Sequence, residues 1–367
     1  MGHIRKQMIT LMTSARCNLA CVYCSQRSFP ALAPGDETID IAFAEAGMRD
    51  FFASNPSRAI RFFGAGEPTL AFEVMKEVRD RARRLAGDAL RVELQSNGLF
   101  SPEVADWVER HVDILWLSYD GPPEIQDRNR PTRGGGRSSG VVGENLRRFA
   151  DSDRMQAGIR ATVAPSDFPR IVEIVEHFHD LGLRRACLAP VYSSTANVRG
   201  ERSLGLLEFA RHFVRADEAA RRMGMSLSTH LIVNFDEPVT GYCRACTPCP
   251  HLTTDGWVSC CDETPLGPDY LPGILQDLIY GRWEPEAKSI RYFPEALARI
   301  RARNTDNLRR GGCSGCDLIA NCSGGCLPKN MFMTGDLFTP YPEWCEAVRY
   351  LASRLPRPQG LFPFLHS

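Results

Sequence analysis

The run Met8-Ile-Thr-Leu-Met-Thr-Ser-Ala-Arg-Cys17-Asn-Leu-Ala-Cys21-Val-Tyr-Cys24 carries a short apolar strand directly into a loop with three cysteines in C-x3-C-x2-C spacing. Three thiolates this close together can hold three irons of a [4Fe–4S] cube. Such cubes are normally held by four cysteines, so a loop offering three leaves one iron open for another ligand. Cys21 and Cys24 alone would read as half a zinc site or as a redox dithiol. Cys17 moves the reading to an open-iron cluster.

Working outward, the first half of the chain alternates strand-like and helix-like runs. Strands are expected at Met8–Met12, Ala59–Phe63, Leu90–Gln95, Ile114–Ser118, Ala157–Val163 and Arg185–Pro190. Helical periodicity falls between them at Ile41–Phe52, Phe72–Leu85, Pro102–Arg110, Ile171–Leu181 and Leu204–Met223. Repeated strand–helix units predict a parallel sheet with helices outside it. Sites in such folds lie at the carboxyl ends of the strands. The stretch 131–140, rich in Gly, Ser and Arg, reads as a flexible loop. The rhythm stops near Met225, and a boundary at about 225–235 divides the chain into 1–228 and 229–367.

The chain has 367 residues, with 44 basic side chains balancing 44 acidic ones, so nothing in its charge points to nucleic acid or an anionic membrane. It has no signal-peptide pattern and no apolar run long enough to span a bilayer. Its 14 cysteines are therefore expected to stay reduced in the cytoplasm rather than to build a disulfide scaffold. Three lie in the first loop, Cys187 stands alone in an apolar strand as a small hydrophobe, and ten crowd into 243–345. Two metal-bearing regions are the simplest account.

Each predicted strand end carries a motif. Gly64-Ala-Gly66-Glu67-Pro68 follows the second, where glycine lets backbone approach a ligand and Glu67 could accept from an ammonium. Gln95-Ser-Asn97-Gly98 closes the third, with Ser101 placed to cap the next helix. Ser118-Tyr-Asp120-Gly-Pro122 ends the fourth. Arg160 and Thr162 lie in the fifth, and an arginine in an apolar strand needs a ligand or a buried acid as partner.

Taken with the cysteine loop, these motifs resemble radical S-adenosylmethionine (SAM) enzymes. That resemblance implies a partial (β/α)6 barrel in which the Cys17/Cys21/Cys24 cluster binds SAM. It also implies cofactor contacts from Tyr23, Gly66, Glu67, Pro68, Asn97, Ser118, Asp120 and Arg160. The last of these would salt-bridge the SAM carboxylate. Ala65 is a mild departure from the family's glycine pair. No aromatic follows Cys24, and Gln126-Asp127 stands where many relatives have His-Asp.

The C-terminal array Cys313-x2-Cys316-x5-Cys322-x3-Cys326, preceded by Cys243-x12-Gly256-x4-Cys261 and followed by Cys345, resembles a SPASM domain. That implies a small cysteine-rich domain with two auxiliary [4Fe–4S] clusters. Cys243, Cys249, Cys261 and Cys326 would hold one, and Cys313, Cys316, Cys322 and Cys345 the other. Cys246 and Cys260 are surplus, and either could replace a neighbour. Zinc in this region is the competing reading.

The layout is similar to anaerobic sulfatase-maturating enzymes and to maturases of ribosomal peptides, without the N-terminal leader-binding extension that many of the latter carry. It implies hydrogen abstraction from a side chain of a peptide or protein, followed by oxidation or cross-linking. A flavodoxin or ferredoxin would supply the electron, and Asp262, beside Cys261, would be the catalytic base. A dehydrogenase of a carbohydrate-like metabolite and a non-enzymatic cluster-bearing scaffold are the alternatives.

Overall fold

The computed structural model describes residues 7–24, 30–192, 205–232, 235, 238–271 and 273–355. Seven strands alternate with helices in the first half: β1 (Ile9–Leu11), α1 (Ile41–Ser54), β2 (Ala59–Phe62), α2 (Phe72–Ala86), β3 (Arg91–Ser96), α3 (Pro102–His111) and β4 (Ile114–Ser118). They continue with α4 (Pro123–Asn129), α5 (Ser139–Ala150), β5 (Gln156–Val163), α6 (Ile171–Asp180), β6 (Arg185–Pro190), α7 (Leu206–Arg222) and β7 (Ser226–Ser228). All six expected strands and five expected helices are present, with ends moved by a few residues. The seventh strand, Ser-Leu-Ser, is too short and polar to stand out in sequence, and it pairs in parallel with β6.

Strands β1 to β7 are parallel and lie in sequence order. The alternation of side chains along each strand sorts the sheet into two faces. Ile9, Ile60, Phe62, Leu94, Leu115, Leu117 and Ile159 are fully buried and form the apolar face. The other face is polar. One register row places His251, Thr10, Arg61 and Glu93 side by side, and a second places Ser118, Arg160, Cys187 and Ser228 together. Burying a side chain such as Phe43, at 0% exposure under α1, contributes roughly 1.5–3 kcal/mol. Helix starts are fixed by side-chain caps, Asp40 for α1 and Ser101 for α3, each worth about 1 kcal/mol.

The sheet runs across residue 228. Strands β8 (His251–Leu252), β9 (Trp257–Ser259), β10 (Ile279–Glu284) and β11 (Ser289–Tyr292) extend it to eleven strands in the order β11-β10-β9-β8-β1-β2-β3-β4-β5-β6-β7. β8 is parallel to β1, whereas β8–β9, β9–β10 and β10–β11 are antiparallel. Five helices follow: α8 (Pro294–Ala302), α9 (Thr305–Arg310), α10 (Ile319–Cys322), α11 (Leu327–Thr334) and α12 (Pro342–Arg354), the last packed against α7.

Residues 131–140, read as a flexible loop, are anchored at both ends. Ala20 and Val22 donate backbone N–H to Pro131 and Asn129, and Arg133 donates to Asn18, so the segment is stitched to the cysteine loop. Asp127 then accepts from the N–H groups of Ser138 and Ser139 at the start of α5. No helix was expected at α4 or α5. Pro, Gly and Ser there conceal a segment ordered by partners far away in sequence.

Candidate active site

The cysteine loop is held from three sides. Gly66 and Glu67 donate N–H to the carbonyls of Ser14 and Arg16 (2.9 and 2.7 Å), Ala15 donates to Glu37, and the 129–133 segment holds the far edge. A Cβ at Gly66 would fall onto the Arg16 carbonyl, so only glycine permits this approach. Cys17, Cys21 and Cys24 line a cavity of about 870 Å³ with Ala65, Leu70 and Leu266, the last supplied by the C-terminal half. Burial pushes the Cys17 thiol up and Cys21 up to about 11, so metal binding there must displace protons. Three thiols from one loop opening on one cavity fit a cube with one uncommitted iron, and the volume leaves room for a small ligand beside it.

Asn97 is next to this group: its Nδ2 lies 3.7 Å from Cys17 Sγ and donates to Asn18 Oδ1 at 2.7 Å. Glu67 is buried, and its carboxylate is spent largely on the chain itself. Oε1 accepts from Thr69 N, Thr69 Oγ1 and Ser96 Oγ, while Oε2 accepts from Asn97 N. Burial raises its pKa and these four donors oppose the rise. Glu67 therefore braces the second strand's loop against the third.

Tyr23 and Asp120 meet away from the cavity lining. Tyr23 OH donates to Asp120 Oδ2 (2.6 Å), and Arg130 Nη1 donates to the Tyr23 oxygen (2.6 Å). Asp120, at 0% exposure, also accepts from Thr162 N and lies 3.9 Å from Arg130. Burial pushes its carboxyl up, and Arg130 is the chief opposing influence. Arg130 escaped the sequence reading because its partners lie 107 and 10 positions away in different elements. Tyr119 faces α6, stacked on His177 at 5.9 Å.

Arg160 Nη2 lies 3.0 Å from His230 Nε2. The expected buried acid is absent: among the described residues no carboxylate pairs with Arg160. Burial, then the charges of Arg160 and Lys329, hold the His230 pKa well below the ordinary value. Its ring is therefore neutral and Nε2 accepts from the guanidinium, which leaves the proton on Nδ1. That nitrogen has no hydrogen-bond partner among the described residues, and neither does Tyr192 OH, whose ring meets His230 edge-on. Ser118 stands beside Arg160 in register on the same face.

Asp262 joins the polar row of the sheet. Arg61 Nη1 lies 3.0 Å from each of its oxygens, and His251 Nε2 lies 2.9 Å from Oδ1. Arg61, 2% exposed, also reaches Glu93 Oε1 (3.1 Å) and Gln95 Oε1 (3.0 Å), with its guanidinium over the Phe63 ring at 4.4 Å. Burial would raise the Asp262 carboxyl, but the Arg61 charge and the His251 hydrogen bond outweigh it and hold the pKa far below the usual range. Arg61 carries the same sequence signal as Arg160, a cation in an apolar strand.

The C-terminal thiols fall into groups. Cys313, Cys316, Cys322 and Cys345 stand close enough that thiolates among them raise one another's pKa. Cys243, Cys261 and Cys326 interact in the same way, joined by Cys246, which is hydrogen-bonded to Cys243. Cys249 neighbours Cys260, and its thiol accepts from the Met8 backbone. The set of Cys313, Cys316, Cys322 and Cys345 matches the expected one, whereas in the other Cys246 stands where Cys249 was expected, and Cys249 neighbours Cys260 instead. Cys187 is buried in β6 as expected, at 1% exposure, but on the polar face, with its thiol hydrogen-bonded to Ser228.

Residues 11–197 match the model of the Radical SAM superfamily. The structure of native anSMEcpe with bound AdoMet and Cp18Cys peptide superposes with a TM-score of 0.70 at 17% identity, covering 98% of both chains. That of Streptococcus suis SuiB bound to precursor peptide SuiA gives 0.62 at 16% identity, covering 92% of this chain and 75% of that one. At these identities the likeness is one of fold, and it includes the cysteine-rich C-terminal half. Among the described residues no helix is long and apolar enough to cross a membrane.

Proposed function

Because the chain belongs to the radical SAM superfamily, whose members use a [4Fe–4S] cluster and SAM, we propose that it is a radical SAM/SPASM enzyme that modifies a side chain of a peptide or protein. The observation that carries this reading is the meeting of three thiols of one loop at one cavity whose wall includes a residue of the C-terminal half. Likeness of fold along nearly the whole chain to anSMEcpe, seen with a peptide, supports the substrate class.

In this reading Cys17, Cys21 and Cys24 hold the open cube. When bound, the cube and SAM supply a 5′-deoxyadenosyl radical that abstracts hydrogen. Gly66 and Pro68 hold the turn against the segment leading into the loop, through Ser14 and Thr13, while Glu67 and Asn97 keep that turn and the Cys17 thiol in register. Tyr23 and Asp120, tied by Arg130, fix the loop from beneath. Ser118 and Arg160 face the interior, where Arg160, without an acidic partner among the described residues, would hold the SAM carboxylate. Cys313, Cys316, Cys322 and Cys345 would hold one auxiliary cluster, and Cys243, Cys261 and Cys326 the other, with Cys246 grouped with these three in place of Cys249.

Both oxygens of Asp262 are engaged by Arg61 and one also by His251. An acid so committed accepts a proton poorly near neutral pH. We therefore assign it to fixing the Cys261 loop on the barrel rather than to the base role that the resemblance implies.

The test is anaerobic reconstitution with iron and sulfide, then incubation with SAM and a low-potential reductant. About twelve irons per chain and formation of 5′-deoxyadenosine are expected. A mass loss or cross-link in a candidate peptide would identify the reaction. Zinc in place of iron, without SAM cleavage, would return the chain to the scaffold reading.

A further inference from the structure

Arg303, between α8 and α9, has 0% exposure. Each nitrogen of its guanidinium donates, but only to carbonyls. Nε donates to Leu337 O (2.9 Å), Nη1 to Ser323 O (2.7 Å), and Nη2 to Gly324 O and Gly325 O (2.8 and 3.2 Å). Among the described residues no carboxylate pairs with it. The Ser323–Gly325 loop joins Cys322 to Cys326, which the assignment above gives to different clusters. All three residues of that loop have positive φ (46°, 71° and 77°), which turns their carbonyls onto the guanidinium. A Cβ at Gly324 would come within 2.9 Å of Nη2, so the loop is shaped around this cation.

A guanidinium cannot shed its proton in a protein. Carbonyl dipoles solvate it without neutralising it, and a buried charge lacking a countercharge costs several kcal/mol. The three carbonyls of the loop that it holds lie between Cys322 and Cys326, one cysteine of each group, so the charge sits at the junction of the two sets. A cube held by four thiolates is a net anion.

We propose that Arg303 is the shared internal counter-cation of the two auxiliary clusters and sets their reduction potentials. This rests on the auxiliary-cluster reading above. Reduction adds one electron, and so one negative charge, to a cube; a fixed cation nearby favours the reduced form and raises the potential. Arg303 is a positioning residue that reaches neither SAM nor substrate.

The experiment is an anaerobic dithionite titration of the full-length reconstituted enzyme, followed by electron paramagnetic resonance. The SAM-binding cube is identified by its response to added SAM. R303Q keeps donors and removes the charge; R303K keeps the charge and removes the fork. With wild-type iron content, R303Q is expected to shift the reduced-to-oxidised ratio of the auxiliary clusters at least tenfold toward oxidised, about 59 mV for one electron. R303K should stay within that margin. R303Q with full iron and unchanged potentials overturns the proposal. If R303Q loses iron, an iron-replete R303K with wild-type potentials supports it, and loss of iron in R303K as well overturns it in favour of loop bracing alone. Wild-type enzyme with only about four irons would sink the auxiliary-cluster reading itself.

Discussion

Arg61 Nη1 lies 3.0 Å from each carboxylate oxygen of Asp262, across 201 positions of the chain, while its Nε lies 3.1 Å from Glu93. One buried cation thereby serves two acids, one from the barrel and one from the loop behind Cys261. Replacing Arg61 by Met leaves Glu93, 2% exposed, without its countercharge. A loss of about 3–5 kcal/mol is expected, read as a lower urea midpoint of the reconstituted protein. D262N, which spares the Arg61–Glu93 pair, should cost clearly less. Equal midpoints for R61M and wild type would show that the network carries no net stability.

Gly66 lies against the Arg16 carbonyl with no room for a side chain. In G66A the cysteine loop must shift, and the Glu67 N–Arg16 O bond of 2.7 Å goes with it. 5′-Deoxyadenosine formation should fall at least about a hundredfold, as ångström-scale misplacement of a reacting group can cost. G134A, where the added carbon meets open space, is the control and should match wild type.

Replacing Cys17, Cys21 and Cys24 together by Ala removes the ligands of one cube. About four of twelve irons should be lost, with SAM cleavage abolished and the auxiliary signals retained. Loss of all iron would instead indicate a single interdependent metal centre.

His230 is neutral in the fold because burial and the Arg160 and Lys329 charges disfavour its protonation, with Asp262 acting weakly the other way. The unfolded chain protonates this histidine near the ordinary value of about 6.5. Below that pH the unfolded state binds the extra proton, so stability is lost as the solution is acidified. Between pH 7.5 and 5.5 this amounts to about 1.4 kcal/mol. In H230Q, whose amide oxygen still faces Arg160, the acid-side loss should shrink by that amount in chemical denaturation. An unchanged pH dependence would mean that His230 carries its proton in the folded chain.

Local patterns determined much of this protein by sequence alone. Apolar runs of strand length between amphipathic helices dictate the parallel sheet. The cysteine spacings and the Gly-Glu-Pro turn are short-range features, so the cluster loop and its neighbour could be read without coordinates. Residues 131–140 show the limit: Gly and Ser there give no hint of the distant partners that anchor the two ends of the segment. Only the tertiary structure decided which polar side chains meet. Register across β8, β1, β2 and β3 brought His251, Arg61 and Glu93 into one row and Asp262 onto it. Folding of the C-terminal half placed Arg303 against the carbonyls of Leu337 and of the Ser323–Gly325 loop between Cys322 and Cys326. A buried charge is tolerable only beside its partner, and that partner comes from whichever strand the sheet sets alongside, which no local pattern encodes.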